Sequence, residues 1–306
     1  MPEILLNENY DCSTSSEVFI SPNVHNTLEG INMQSQTDWM QILIRCKENV
    51  EESIQTPIKN LSKPQPDLGI GAGGDPIKPV DLAAEKAIIE VLQQYKIAFT
   101  LISEESGIKE FGDNPNQCYV TLDPIDGTNN LVRGIPFYAT SIAISAKPSL
   151  STVSAALVAD LFHDVTYTAL SCKGAYRNGK KIKSSKRKSL ENALVGLDLN
   201  SYTIKEIAPQ IMDLMRKTEH IRHFGANALE LCYVADGTTD AFIDIRGKLR
   251  TTDLAAAYLI VKEAGGTLTA PAGEDLDTKL DPKQKIKFIA SGNAKIHKKI
   301  LNLVKT

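Results

Sequence analysis

The stretch TLDPIDGTNNLV, residues 121–132, sets two aspartates around a proline and runs straight into Gly127 and Thr128. Proline fixes φ, aspartate tolerates tight geometry and glycine supplies positive φ, so D-P-x-D-G is good turn chemistry. The same residues also suit a cation and phosphate site. Asp123 and Asp126 can face one ion while Pro124 presents the Ile125 carbonyl as a further oxygen ligand. Gly127-Thr128-Asn129 then opens a helical turn whose free N–H groups can hold a phosphate oxygen. The local sequence leaves the two readings level, and the surrounding residues decide.

Upstream, AFTLIS (98–103) and CYVTLD (118–123) are short apolar runs rich in β-formers, each ending in or just before a carboxylate. Glu104 and Glu105 follow the first. Asp123 and Asp126 close the second. If these strands are neighbours, their C-terminal ends bring Glu104, Asp123 and Asp126 together. A third acidic station is Asp253, at the N-cap of an apolar helix in LRTTDLAAAYLIVKEAGG. Taken alone, Asp253 is an ordinary cap. Glu105 is expected to be a solvated neighbour, because adjacent side chains after a strand point opposite ways. Three carboxylates cannot stay ionised side by side without a cation, since like charges raise each other's pKa. All-oxygen ligation is what Mg²⁺ prefers, and two such ions a few Å apart are the usual apparatus for hydrolysing a phosphate ester. A calcium loop fails: counted from Asp123, its third, fifth and twelfth positions are Ile125, Gly127 and Gly134. A nucleotide-type phosphate loop fails too, since GIGAGGDPIKP (69–79) lacks the terminal G-K-[ST]. That glycine run reads as a mobile flap.

Composition is that of a soluble globular chain of 306 residues, with 42% hydrophobic and 23% charged residues and a formal net charge of −3. No basic face is implied, so nucleic acid is not a favoured partner. No apolar run approaches the ~20 residues that span a bilayer. The first residues lack the basic and apolar regions of a secretory signal, which points to the cytoplasm. Five scattered cysteines without C-x-x-C suit reduced core thiols, and five histidines show no metal-binding spacing.

The chain reads in three parts. Residues 1–36 form a polar, poorly ordered extension whose deletion is expected to leave activity intact. Residues 37–188 form an α+β sub-domain, with amphipathic helices over 38–61 and 80–95 and then strands over 98–103, 118–123, 138–145, 152–160 and 164–170. A hairpin with an Asn-Gly turn closes it over 173–182. Residues 189–306 alternate strand and helix as an α/β sub-domain, with helices over 204–217, 226–236, 253–264 and 293–304. Trp39 and the aromatics at 137–138 read as core, and the basic run 180–188 as an exposed hairpin edge.

Glu104-Glu105-Ser106, then DPIDGTNN, then a T-D opening a helix that ends in EAGG, resemble the inositol monophosphatase superfamily over roughly residues 38–306. The order and spacing of these motifs set the bare-turn reading aside. The resemblance implies a five-layer αβαβα sandwich, a homodimer or higher homo-oligomer, and two or three Mg²⁺ ions. It implies Glu104, Asp123, the Ile125 carbonyl, Asp126 and Asp253 as metal ligands. Asp81 and Thr128 would orient and deprotonate the attacking water, and Gly127, Thr128 and Asp126 would meet the substrate's phosphate end. RHFGANALELCYVADG implies Arg222, Gly225, Ala226 and Asn227 near a sugar or inositol ring, and Asp244 at its hydroxyls.

Many members carry Trp before the last aspartate, where this chain has Thr252. The surrounding IDIRGKLRTTDLAAAYLIVKEAGG looks more like the archaeal branch, whose members hydrolyse both fructose 1,6-bisphosphate and inositol 1-phosphate. Arg246 and Arg250 would suit a second phosphate, against the plainer alternative of surface ion pairs. The runner-up is a phosphatase narrow for inositol 1-phosphate, or one for 3′-phosphoadenosine nucleotides, which the lack of an extra aromatic platform disfavours. A catalytically dead binder of phosphorylated metabolites is a further alternative, disfavoured because every ligand position keeps its acid.

Overall fold

Asp38 starts the first helix, its carboxylate accepting the N–H groups of Met40 and Gln41. Ile42, Leu43, Cys46 and Val50 then recur on one buried face of α1 (Trp39–Ser53). The helical stretch 38–61 is met by two pieces. Pro57 has no N–H for the Ser53 carbonyl and crowds it, so the chain breaks at Ile54 before the short α2 (Gln55–Lys59). α3 (Pro79–Gln94) opens on a proline, and its Asp81 accepts the backbone N–H of Lys78. This computed structural model describes residues 38–61, 63–200 and 204–304. The expectation for residues 1–36 lies outside them.

Next come β1 (Phe99–Ser103), β2 (Gly107–Phe111) and β3 (Tyr119–Asp126), then the short helix α4 (Thr128–Arg133). β4 (Ala139–Ser145), β5 (Val153–Asp160), β6 (Val165–Leu170), β7 (Gly174–Arg177) and β8 (Lys180–Lys181) follow. Among the described residues these make one eight-stranded sheet in the order β2-β1-β3-β4-β5-β6-β7-β8. Its neighbours pair antiparallel except β1 and β3, which run parallel with Ser103 opposite Leu122. β2 escapes the sequence reading because Ile108, Lys109 and Glu110 are all exposed, so GIKEF shows no alternation.

The second half supplies β9 (Leu194–Leu197), α5 (Ile204–Lys217), β10 (His220–Arg222), α6 (Asn227–Asp236), β11 (Ala241–Arg250) and α7 (Thr251–Glu263). It ends with β12 (Thr267–Thr269), β13 (Lys285–Ser291) and α8 (Ala294–Leu301). Among the described residues its five strands form a second sheet, β10-β9-β11-β13-β12. β11 bulges at a register shift between Asp244 and Leu249 and continues to Arg250.

The layers are α1 with α3, the large sheet, α6 with α7, the smaller sheet, and α5 with α8. This is the expected five-layer αβαβα sandwich. Its central layer is α7, buried from Thr251 to Val261 because it is covered by a sheet on each side. The division at 188 separates the two sheets by strand membership, yet α6 and α7 share one core with β4, β5 and β6, and Asp38–Thr306 is one compact unit. Among the described residues no helix is long and apolar enough to cross a membrane. Cys46, Cys118 and Cys232 are free and buried. Phe137 is core, while Trp39 is only half-buried.

Candidate active site

Parallel pairing of β1 with β3 puts their C-terminal ends at one edge of the sheet. Glu104 follows β1 there, and Asp123 lies within β3. α7 enters from the other half with its N-terminus at this edge, where Asp253 accepts the Arg250 N–H at 3.3 Å. The result is a set of three buried carboxylates, Glu104, Asp123 and Asp253, with ligand oxygens within 4.8 Å of one another. Burial first, and then the neighbouring carboxylates, push Glu104 and Asp123 well above the usual range. Hard oxygen donors this close and this dry match a small divalent cation.

Asp126 ends the same strand beyond a register shift, and its carboxylate meets the N-terminus of α6. It accepts the N–H of Asn227 at 3.1 Å and of Ala228 at 2.7 Å. Burial, then Asp253, still raise it to about 8 against the pull of those two donors. The Ile125 carbonyl accepts the Thr128 hydroxyl at 2.8 Å. That hydroxyl also lies 3.2 Å from Asp81 Oδ1. Burial is the main reason Asp81 is raised to about 6. Between them Gly127 takes φ +86°, and a Cβ there would stand 3.0 Å from the Phe137 carbonyl and from Ala226 Cβ. The Asn130 side-chain amide donates to the carbonyls of Phe137 and Phe224, tying α4 to the segment before α6.

Glu105 is not the solvated neighbour expected of it. The chain turns after β1, so the alternation of a strand no longer applies. Its Oε2 is buried without a hydrogen-bond partner, and burial, Asp81 and Glu85 raise it to about 8. The glycine run lies against this turn. Ala72 N–H donates to the Glu105 carbonyl and Gly73 N–H to that of Glu104.

Neither arginine is a surface ion pair. Arg250 is 13% exposed and reaches Glu104 Oε1 at 2.6 Å, Asp75 Oδ2 at 2.7 Å and Asp253 Oδ1 at 3.4 Å. Arg246 is 8% exposed and lies between Asp198 and Asp244. Both guanidinium groups are engaged by buried acids, Glu104 and Asp253 on Arg250 and Asp198 and Asp244 on Arg246, while Asp75 is exposed. Asp244 is fully buried, Gly225 takes φ +87°, Ala226 is buried, and Arg222 is exposed with its guanidinium on the Ile221 carbonyl. Sequence reasoning passed over Asp198, His223 and Glu230. Asp198 directly follows β9 as Glu104 follows β1, and Glu230 interrupts an apolar helix face, so a signal was present for both.

The inositol monophosphatase family model matches residues 38–306. The chain belongs to the inositol monophosphatase family. It is accordingly an enzyme, a phosphatase of a metal-dependent family. A fructose-1,6-bisphosphatase/inositol-1-monophosphatase of Methanothermobacter thermautotrophicus is 35% identical over 272 residues, 86% of this chain and 95% of that one. A bifunctional NADP phosphatase/NAD kinase of Methanococcus maripaludis is 34% identical across 87% of this chain, which spans 49% of that protein. A solved inositol monophosphatase–fructose 1,6-bisphosphatase superposes with a TM-score of 0.77 at 30% identity, covering 88% of this chain and all of that one.

Proposed function

We propose that this phosphatase hydrolyses fructose 1,6-bisphosphate and inositol 1-phosphate with Mg²⁺, as a homodimer or higher homo-oligomer in the cytoplasm. Glu104, Asp123 and Asp253, with Asp126 and the Ile125 carbonyl beside them, would hold Mg²⁺, which would neutralise charge at the phosphate and acidify water. The observation carrying the mechanism is the contact of Thr128 with both Asp81 and Ile125 at the border of the acid cluster. Water attacks phosphorus in line as the P–O ester bond breaks, and the leaving alkoxide takes up a proton from solvent to depart as the alcohol. The Thr128 hydroxyl orients that water and Asp81 takes its proton. Asp81, raised to about 6, gives up that proton readily near neutral pH. The N–H groups of Gly127 and Thr128 receive the phosphate oxygens, and no phosphoenzyme forms.

The ring or sugar lies against the segment Gly225, Ala226 and Asn227, with the buried Asp244 behind it on Arg246. With Arg246 and Arg250 engaged by acids, exposed Arg222 is the better receiver of a second phosphate. The deciding assay is phosphate release from both esters and from NADP, each with Mg²⁺ and with EDTA. Comparable Mg²⁺-dependent turnover of the two esters supports the proposal. Turnover of inositol 1-phosphate alone removes the second-phosphate role, and preference for NADP moves the reading to nucleotides.

A further inference from the structure

Behind the substrate face lies a row of alternating charges that joins three elements. Arg246 of β11 donates from Nε and Nη2 to the two oxygens of Asp244, at 2.9 Å and 2.6 Å. The same Nη2 meets Asp198 at the end of β9. Asp198 Oδ1 in turn lies 3.5 Å from His223 Nε2. His223 Nδ1 lies 3.0 Å from Glu230 Oε1 of α6, off-line for a hydrogen bond but within ion-pair reach. That oxygen accepts the N–H groups of Phe224 and Gly225, at 2.9 Å and 3.0 Å. Two residues on, the N–H groups of Asn227 and Ala228 hold Asp126.

We propose, resting on the phosphatase reading above, that His223 is a positioning residue. As an imidazolium it locks Asp198 to Glu230, and so sets both the Asp244–Arg246 pair and the backbone of 224–228 against the substrate. Asp198 and Glu230 are 3% and 2% exposed; with a neutral ring Asp198 would have only the Arg246 it shares with Asp244, and Glu230 only the N–H groups of Phe224 and Gly225. The groups facing the ring are Asp198, Glu230, Arg246 and the Asn200 amide. Glu230 and Asp198 favour its charge while burial and Arg246 oppose it, and the balance lies upward. The amide nitrogen of Asn200, 2.8 Å from Nε2, needs only a half-turn to present its oxygen to an imidazolium N–H. The Asn200 carbonyl also accepts Arg246 Nη1 at 3.1 Å, so the amide belongs to the same row.

Two measurements on the intact protein test this. The first follows the His223 ring by NMR through pH. The expected midpoint lies above the free-histidine value of about 6.5, and it falls in Asp198→Asn. A midpoint at or below that value overturns the clamp, and this result needs no substrate or turnover. The second compares wild type with His223→Gln on either phosphate ester. KM is expected to rise about tenfold with kcat within about threefold, because placement and not chemistry is lost. Wild-type KM should rise as pH passes the ring's midpoint, while the variant's stays flat. An unchanged KM, or a loss confined to kcat, overturns the proposal. Absence of phosphate release in the wild type would instead refute the functional reading and leave the ring titration to decide the clamp.

Discussion

Arg250 lies 2.6 Å from Glu104, a salt bridge buried inside the cluster that is to hold a cation. It also reaches Asp75 and the Gly73 carbonyl, so one guanidinium joins the acids to the glycine loop. With EDTA present, Arg250→Met is expected to destabilise the protein by about 3 kcal/mol, since it leaves a buried carboxylate uncompensated. Saturating Mg²⁺ should recover much of that loss by supplying the missing charge. Urea melts of both proteins with EDTA and with Mg²⁺ check it. An equal loss in both conditions would make Arg250 an anchor for the loop and nothing more.

Stability without metal should fall as pH rises. Burial holds Asp81 at about 6 and Glu105 and Asp126 at about 8 in the folded chain. In the unfolded chain such groups ionise near pH 4. Across that window the folded state binds more protons, so its advantage is full below about pH 4 and is lost as pH rises through the folded values. Thermal melts in EDTA at pH 5, 7 and 9 are expected to give a descending series, which Mg²⁺ should flatten. A series that ascends would refute the buried-acid account.

Thr128→Ala is expected to lower kcat about 10²–10⁴-fold, and Thr128→Ser to keep most of the activity, because the hydroxyl carries the role. Asp81→Asn should match the alanine variant. The double variant should be no worse than the worse single, since the pair acts as one unit. Additive losses in steady-state kinetics would separate the two residues.

Two glycines in left-handed backbone give a controlled comparison. Gly134, at φ +72°, has open space where a Cβ would stand, so Gly134→Ala should cost about 1 kcal/mol for backbone alone. Gly127→Ala meets a carbonyl and a side chain at 3.0 Å as well, and should lose up to about 3 kcal/mol together with most of kcat. Similar melting temperatures for the two variants would show that the neighbours of Gly127 yield.

Much of this was legible in the sequence because the acids stand where strands end. The runs before Glu104 and Asp123 read as strands, and their parallel pairing brings those two acids together. Edge strand β2 was not legible, because three of its five residues face water in a row and leave no alternation. Glu105 was misplaced because strand alternation was carried two residues past the strand. The engagement of Arg246 and Arg250 could not be read either. It depends on Asp198, Asp75 and Glu104, which the chain brings to β11 from distant segments.

Asp253 reaches Glu104 and Asp123 only when α7 has docked between the two sheets. No partial assembly lacking that layer offers all three acids. The cation finds its full set of ligands only once that layer is in place, and the ion has little to grip before then. Its grip comes afterwards, on the return journey. Mg²⁺ should lengthen the lifetime of the native chain while leaving the speed of its formation nearly untouched.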